Sequence, residues 1–160
     1  MATYRLQQEL LPSLLDRLTD LEPRNRHESV SNRAQTLRQI KASLRRDLEW
    51  LLNTRRTSIP VPEWTKELRY SLFRFGLPDI TEYSLSSSAD QDRLTSEVEE
   101  AVETFEPRLM NVTVSVQPAV VGTRQLKFSI EALLRIEPAP ERVLFDTTLE
   151  MTSGEYRVEE

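Results

Sequence analysis

Cysteine is absent from this 160-residue sequence, and histidine occurs once, as His27. The first absence excludes disulfides, thiolate metal sites and cysteine nucleophiles. The second excludes any metal centre built from several histidines. Glycine is almost as scarce, with three residues, and neither a GxxxxGKS/T nor a GxGxxG stretch occurs, which removes the phosphate-cradling loops. A G-x-S-x-G nucleophile elbow is missing as well. No apolar run approaches the roughly 18 uninterrupted residues that a membrane span needs. No basic stretch leading into an apolar segment opens the chain, so no secretory signal is expected. The expectation is a soluble, cytoplasmic protein with no metal, cofactor or catalytic centre.

What is present is a polar globular composition, 38% apolar and 29% charged, in a chain long enough to bury one core. The net charge of −5 is unevenly spread. Residues 1–60 hold eleven Lys/Arg against seven Asp/Glu, whereas residues 61–160 hold ten against nineteen. Such polarity suits oriented association with other proteins, or it is simply the charge of solvated helix faces. Nucleic acid fits less well, because the basic half lacks interleaved aromatics and the acidic half would repel phosphates.

Hydrophobic spacing divides the chain into helices followed by strands. Leu6, Leu10, Leu11, Leu14, Leu15 and Leu18 have helical spacing around Pro12. A proline is tolerated in a first turn but not deeper, so a short helix beginning near Pro12 or Ser13 is expected behind a loose arm. A charged loop over 20–32 ends at a cap, Ser29 or Ser31. The next helix carries Ala34, Leu37, Ile40, Leu44, Leu48, Leu51 and Leu52 as one stripe and stops around Asn53–Arg56. A shorter helix is predicted from Pro62 or Glu63 to Phe75, using Trp64, Leu68, Leu72 and Phe75, with Gly76 past its end and Pro78 beyond. After a serine-rich connector over 79–89, Asp90 is the candidate cap of a third main helix. That helix buries Leu94, Val98, Ala101, Val102 and Phe105 and ends before Pro107.

From there the period becomes two. Val112, Val114 and Val116 form a first alternating set; Leu126, Phe128, Ile130, Ala132, Leu134 and Ile136 a second; Val143, Phe145, Thr147, Leu149 and Met151 a third. Short connections favour an antiparallel meander with the helices packed on its apolar face. The fold class is therefore α+β, N-terminal helices on one face of a C-terminal three-stranded antiparallel sheet. One domain over 1–160 is expected, with an arm and loop over 1–28, a helical part over 29–106 and the sheet over 109–153. Such a sheet has two edges of unpaired backbone groups. Either the protein covers them with a helix or its own arm, or another chain pairs there.

Two constellations could carry chemistry. The carboxylates Glu97, Glu99, Glu100, Glu103 and Glu106 are numerous enough for a glycosidase, which needs two of them astride a cleft. They spread around a helix instead of converging, and a solvated acidic face is the better reading. The second is Phe105-Glu106-Pro107-Arg108-Leu109, where a rigid proline corner holds an ion-pairable Glu and Arg between two apolar anchors. Glu106 and Arg108 could form an internal corner salt bridge or an external docking pair, since the planar guanidinium binds a carboxylate bidentately. The tripeptide recurs at Glu22-Pro23-Arg24, without the apolar flanks.

Four stretches resemble the TssE family, small baseplate subunits of the type VI secretion system with counterparts in contractile-phage baseplates. They are Pro12-Ser13-Leu14-Leu15-Asp16-Arg17-Leu18, the run from Arg46-Asp47-Leu48 to Arg55-Arg56, Phe75-Gly76-Leu77-Pro78-Asp79, and Phe105-Glu106-Pro107-Arg108-Leu109. Phe145-Asp146-Thr147 also fits. The family has been labelled lysozyme-like, but the resemblance implies a structural, non-enzymatic role. It implies a sheet similar to the strand-exchanging "handshake" domain of sheath subunits, so that a sheath strand can extend it. It also implies a protein-interaction role for Glu106, Pro107 and Arg108 in anchoring to the wedge. The partners implied are the wedge subunits TssF, TssG and TssK and the sheath subunits TssB and TssC, in a cytoplasmic baseplate docked at the inner-membrane complex. A peptidoglycan-cleaving glycosidase and a generic interaction adaptor are the alternatives.

Overall fold

The computed structural model describes residues 13, 16, 18–19, 33–62, 64–79, 83–84, 87–117, 125–150 and 152–159. The candidate caps Ser29 and Ser31, the loop with His27, the second Glu-Pro-Arg copy at 22–24 and most of the N-terminal arm lie outside these residues.

Helix α1 spans Arg33–Asn53 and helix α2 spans Ser88–Phe105. In α1 the expected stripe is buried from Ile40 through Leu44, Leu48, Leu51 and Leu52, while Ala34 is exposed and Thr36 takes the inward position of the first turn. Its polar faces are net basic, +3 over the helix, whereas α2 carries −5. Helix α2 begins two residues before the expected cap. Ser87 is the N-cap, its hydroxyl accepting from the Asp90 amide at 3.4 Å. Asp90 lies inside the first turn, and its carboxylate accepts from the Ser84 amide at 3.0 Å. A serine cap upstream serves the free amides and leaves Asp90 to fasten the connector.

The helix expected over 62–75 is corrected to a single 3₁₀ turn, Lys66–Tyr70, with no buried residue. Trp64 and Leu72 are 85% and 86% exposed. Their spacing matched a helix, but Pro60 and Pro62 limit regular backbone at its start, and no core face lies opposite for these side chains to enter. Only the end of the segment is anchored, where Phe75 packs on the core.

That anchor depends on Gly76. With φ +100 it turns the chain so that the Leu77 amide donates to Thr54 O at 2.9 Å and the Arg56 amide to Leu77 O at 2.8 Å. The two motifs that were 20 or so positions apart in sequence thus meet as an isolated parallel bridge between Arg55 and Leu77. Arg55 pairs with Asp79 at 3.1 Å, and Arg56 with Glu97 of α2 at 2.6 Å. A Cβ on residue 76 would lie 2.1 Å from Thr54 O, so glycine is required by both conformation and space.

The sheet has four strands, one more than expected: β1 Leu109–Val116, β2 Gln125–Leu134, β3 Glu141–Glu150 and β4 Glu155–Glu159. They lie in the order β1-β2-β3-β4, each antiparallel to the next. The fourth strand was hidden because only Tyr156 and Val158 alternate inward in so short a run, behind a turn at Gly154 with φ +73. Alternation otherwise follows the sequence, and the inward residues of all four strands join the stripes of α1 and α2 in one core. Helix α2 packs against β1 and α1 against β4. β1 carries a bulge between Met110 and Thr113, with Asn111 at φ +53.

Two predictions follow from this packing. Gly76→Ala should lower stability by roughly 3 kcal/mol or more through left-handed strain and the clash with Thr54, while Gly154→Ala, whose Cβ would meet nothing within 4 Å, costs about 1 kcal/mol. Urea unfolding of the pair measures the difference. Thr147 is 1% exposed, and its hydroxyl has no hydrogen-bond partner among the described residues. Thr147→Val should therefore stabilise by about 1 kcal/mol, read as a rise of roughly 2–4 °C in melting temperature.

Candidate protein-interaction site

The corner between α2 and β1 is built by the backbone before any side chain acts. Pro107 forbids another helical turn, and Glu106 closes the helix with its amide donating to Val102 O at 2.9 Å. The Leu109 amide then donates to Glu106 O at 3.1 Å, and Arg108 O accepts from the Arg135 amide at 2.8 Å, which registers the corner on β2.

Glu106 and Arg108 form an internal bridge. Arg108 Nε donates to Glu106 Oε1 at 2.6 Å and Nη2 to Oε2 at 2.5 Å, the bidentate fork expected for this pair. The same guanidinium reaches α1, with Nη2 to Asp47 Oδ2 at 2.6 Å and Nη1 to Ser43 Oγ at 3.1 Å. Glu106 is buried. Hydrogen bonding to Glu106 above all, working against desolvation and helped by Asp47, raises the Arg108 pKa above its ordinary value and keeps it a cation.

The network continues outward. Arg46 donates to Asp47 Oδ1 through Nη2 at 2.9 Å and Nε at 3.1 Å, and its Nη1 lies 3.1 Å from Asp16 Oδ1. Burial opposes the charge of Asp16, but hydrogen bonds from Ser13, Ser43 and Arg46 outweigh it and hold the carboxyl below its ordinary value. The Arg46 guanidinium also sits 5.4 Å over the Trp50 ring. Beside this chain of charges lies a groove of about 390 Å³ lined by Leu48, Trp50, Leu51, Phe75, Phe105 and Pro107 among others. Phe75 and Phe105 meet edge to face at 5.3 Å on its floor. Of the three motif residues, Pro107 is exposed and Arg108 half-buried. Trp50, 58% exposed, is the large apolar side chain displayed next to them.

Geometry therefore places the sequence-derived residues together and adds four that no spacing rule points to: Ser43, Asp47, Arg46 and Trp50. Asp47, Arg46 and Trp50 stand in the run from Arg46 to Arg56 already singled out, but the contact of Asp47 with Arg108, 61 positions away, required the fold.

The sheet's two flanks are the other candidate surface, and each is met by one helix side chain. At β4, Asn53 Nδ2 donates to Tyr156 O and Asn53 Oδ1 accepts from the Tyr156 amide, both at 2.8 Å. At β1, Glu99 Oε1 accepts from the Val114 amide at 2.8 Å. Of the two alternatives for the edges, cover from within is thus realised in part: Tyr156 is met on both backbone groups and Val114 on its amide alone. Among the described residues no group of three metal-ligating side chains converges, and no described helix is long and apolar enough to cross a membrane.

The family model for baseplate wedge protein gp25 matches residues 38–139. This chain belongs to that family. The match runs from the first turns of α1 to the β2–β3 connection, so it takes in the Glu106–Pro107–Arg108 corner, the Gly76 staple and both edge-capping side chains. TssE is the type VI secretion homologue of gp25, so the likeness drawn from the motifs holds at family level. Comparison with curated proteins returns no match. A gp25-family chain is a structural component of a baseplate that interacts with other baseplate components.

The corner predicts its own energetics. Arg108→Met leaves the Glu106 carboxylate buried without a counter-charge and should cost about 3 kcal/mol. Combining it with Glu106→Leu should restore most of that loss, because an apolar pair of similar volume suits the site. A double-mutant cycle by chemical denaturation checks both.

Proposed function

We propose that this protein is a structural subunit of the baseplate of a contractile type VI secretion apparatus. In this reading it joins the wedge formed by TssF, TssG and TssK through the Glu106–Pro107–Arg108 corner. It then starts polymerisation of the TssB–TssC sheath by accepting a sheath strand at a sheet edge, in the manner of a handshake domain. Its place is the cytoplasmic baseplate docked at the inner-membrane complex.

The observation that carries this reading is the gp25-family match across both helices, the corner and the first two strands of the sheet. The geometry supports it in a specific way. Since Arg108 spends its donors on Glu106, Asp47 and Ser43, its contribution to docking is to make the corner rigid. The exposed Pro107 and Trp50, beside the apolar groove, are what a wedge helix would meet. Backbone pairing at the sheet edge adds directional bonds worth a net ~0.5–1.5 kcal/mol each.

The role proposed is not catalytic. A glycosidase needs one carboxyl group free to deliver a proton beside a second across a cleft. Asp47 and Glu106, the carboxylates at the groove, are both engaged by Arg108.

Trp50→Ala tests the docking half without touching the buried bridge. The variant should fold with a melting temperature close to the parent's, yet lose at least tenfold in retention of TssF and TssG during co-purification. Undiminished retention would exclude the groove as the wedge contact, and clearing of a peptidoglycan suspension by the purified protein would exclude the non-enzymatic reading altogether.

A further inference from the structure

Backbone hydrogen bonding distinguishes the two flanks of the sheet. At β4 the Asn53 amide both donates to and accepts from Tyr156, reproducing the pair of bonds that a neighbouring antiparallel strand would make. Asn53 Nδ2 also donates to Glu49 O at 2.8 Å. The amide is thus fixed on three sides, and the last turn of α1 stands where a fifth strand would lie. Tyr156 and Val158 are the residues of this five-residue strand whose backbone groups face away from β3. One of them is already taken.

β1 is different. The Gln117 amide donates inward to Lys127 O at 2.8 Å, so alternation turns the backbone groups of Val116 and Val114 away from β2. Glu99 meets the Val114 amide, but a carboxylate can only accept. Among the described residues nothing meets the Val114 carbonyl or either backbone group of Val116. Glu99 is held by no helix end and reaches β1 on a flexible stem, so it can leave without disturbing the core. The bulge at Asn111 closes the pairing surface on the other side, which confines a partner to the stretch from Thr113 to Val116.

We propose that β1 is the edge that receives the foreign strand, with Glu99 as a placeholder for its carbonyl, and that the strand carries Lys or Arg toward α2. The inference rests on the strand-addition reading above and specifies its site and partner. The charge preference follows from Asp92, Glu99 and Glu103, which recur at helical spacing on the stripe of α2 that reaches β1. An incoming strand therefore lies beside an acidic wall, and a basic one is favoured.

The absence of cysteine makes an introduced one a unique handle. Thr113→Cys on β1 and Glu159→Cys on β4 replace exposed residues separated by three strand spacings, ~14 Å. Each full-length variant is labelled with a benzophenone and irradiated with the purified TssB–TssC sheath complex. Cross-linking from Thr113→Cys should exceed that from Glu159→Cys at least tenfold, and adding Asn53→Ala should leave this ratio unchanged. Cross-linking mainly from Glu159→Cys would overturn the edge assignment while leaving strand addition standing. If neither variant cross-links to sheath and the unmodified protein does not co-sediment with it, the strand-addition reading fails and this inference with it.

Discussion

Arg108 is where two helices and the sheet are tied together. Its guanidinium bonds to Glu106, the residue that closes α2, and to two side chains of α1, while its backbone carbonyl accepts from the residue that follows β2. A cation so placed could not be left unmatched, because a half-buried ion loses water on most sides. Glu106 and Asp47 supply the matching charge, and Arg46 with Asp16 extends it to the segment preceding α1. The rigidity of the corner, the floor of the groove and the presentation of Trp50 all descend from that arrangement.

Much of this architecture was legible because it is periodic. The helical stripes, the change of period after Pro107 and the α+β class follow from apolar spacing alone, and the proline placed the end of α2 correctly. What spacing could not convey was long-range complementarity. The helix expected over 62–75 had suitable intervals but no surface to pack on, so Trp64 and Leu72 stayed outside. β4 had a surface but too few residues to announce itself. At the corner, the residue types signalled an ion pair, yet only the fold could decide that the pair faces inward, since Asp47 and Ser43 reach it from another helix.

The edges show the same division. Sequence pointed to strands with two unpaired flanks, but not to the side chains that meet them. Asn53 sits at the end of α1 and Glu99 in the fourth turn of α2, positions chosen by no local rule. Each helix guards the strand it packs on. The two guards are unequal, because an amide can replace a peptide group on both counts and a carboxylate on only one.

Basic α1 lies over the β4 flank and acidic α2 over the β1 flank. The separation gives the subunit an electric moment running across its strands. In the field of a larger charged body this produces a torque, which turns the molecule before surfaces touch. At physiological ionic strength the reach of that torque is about one Debye length, roughly 8 Å. Orientation is therefore selected during the last moments of approach, and added salt slows productive collisions without weakening the finished contact to the same degree.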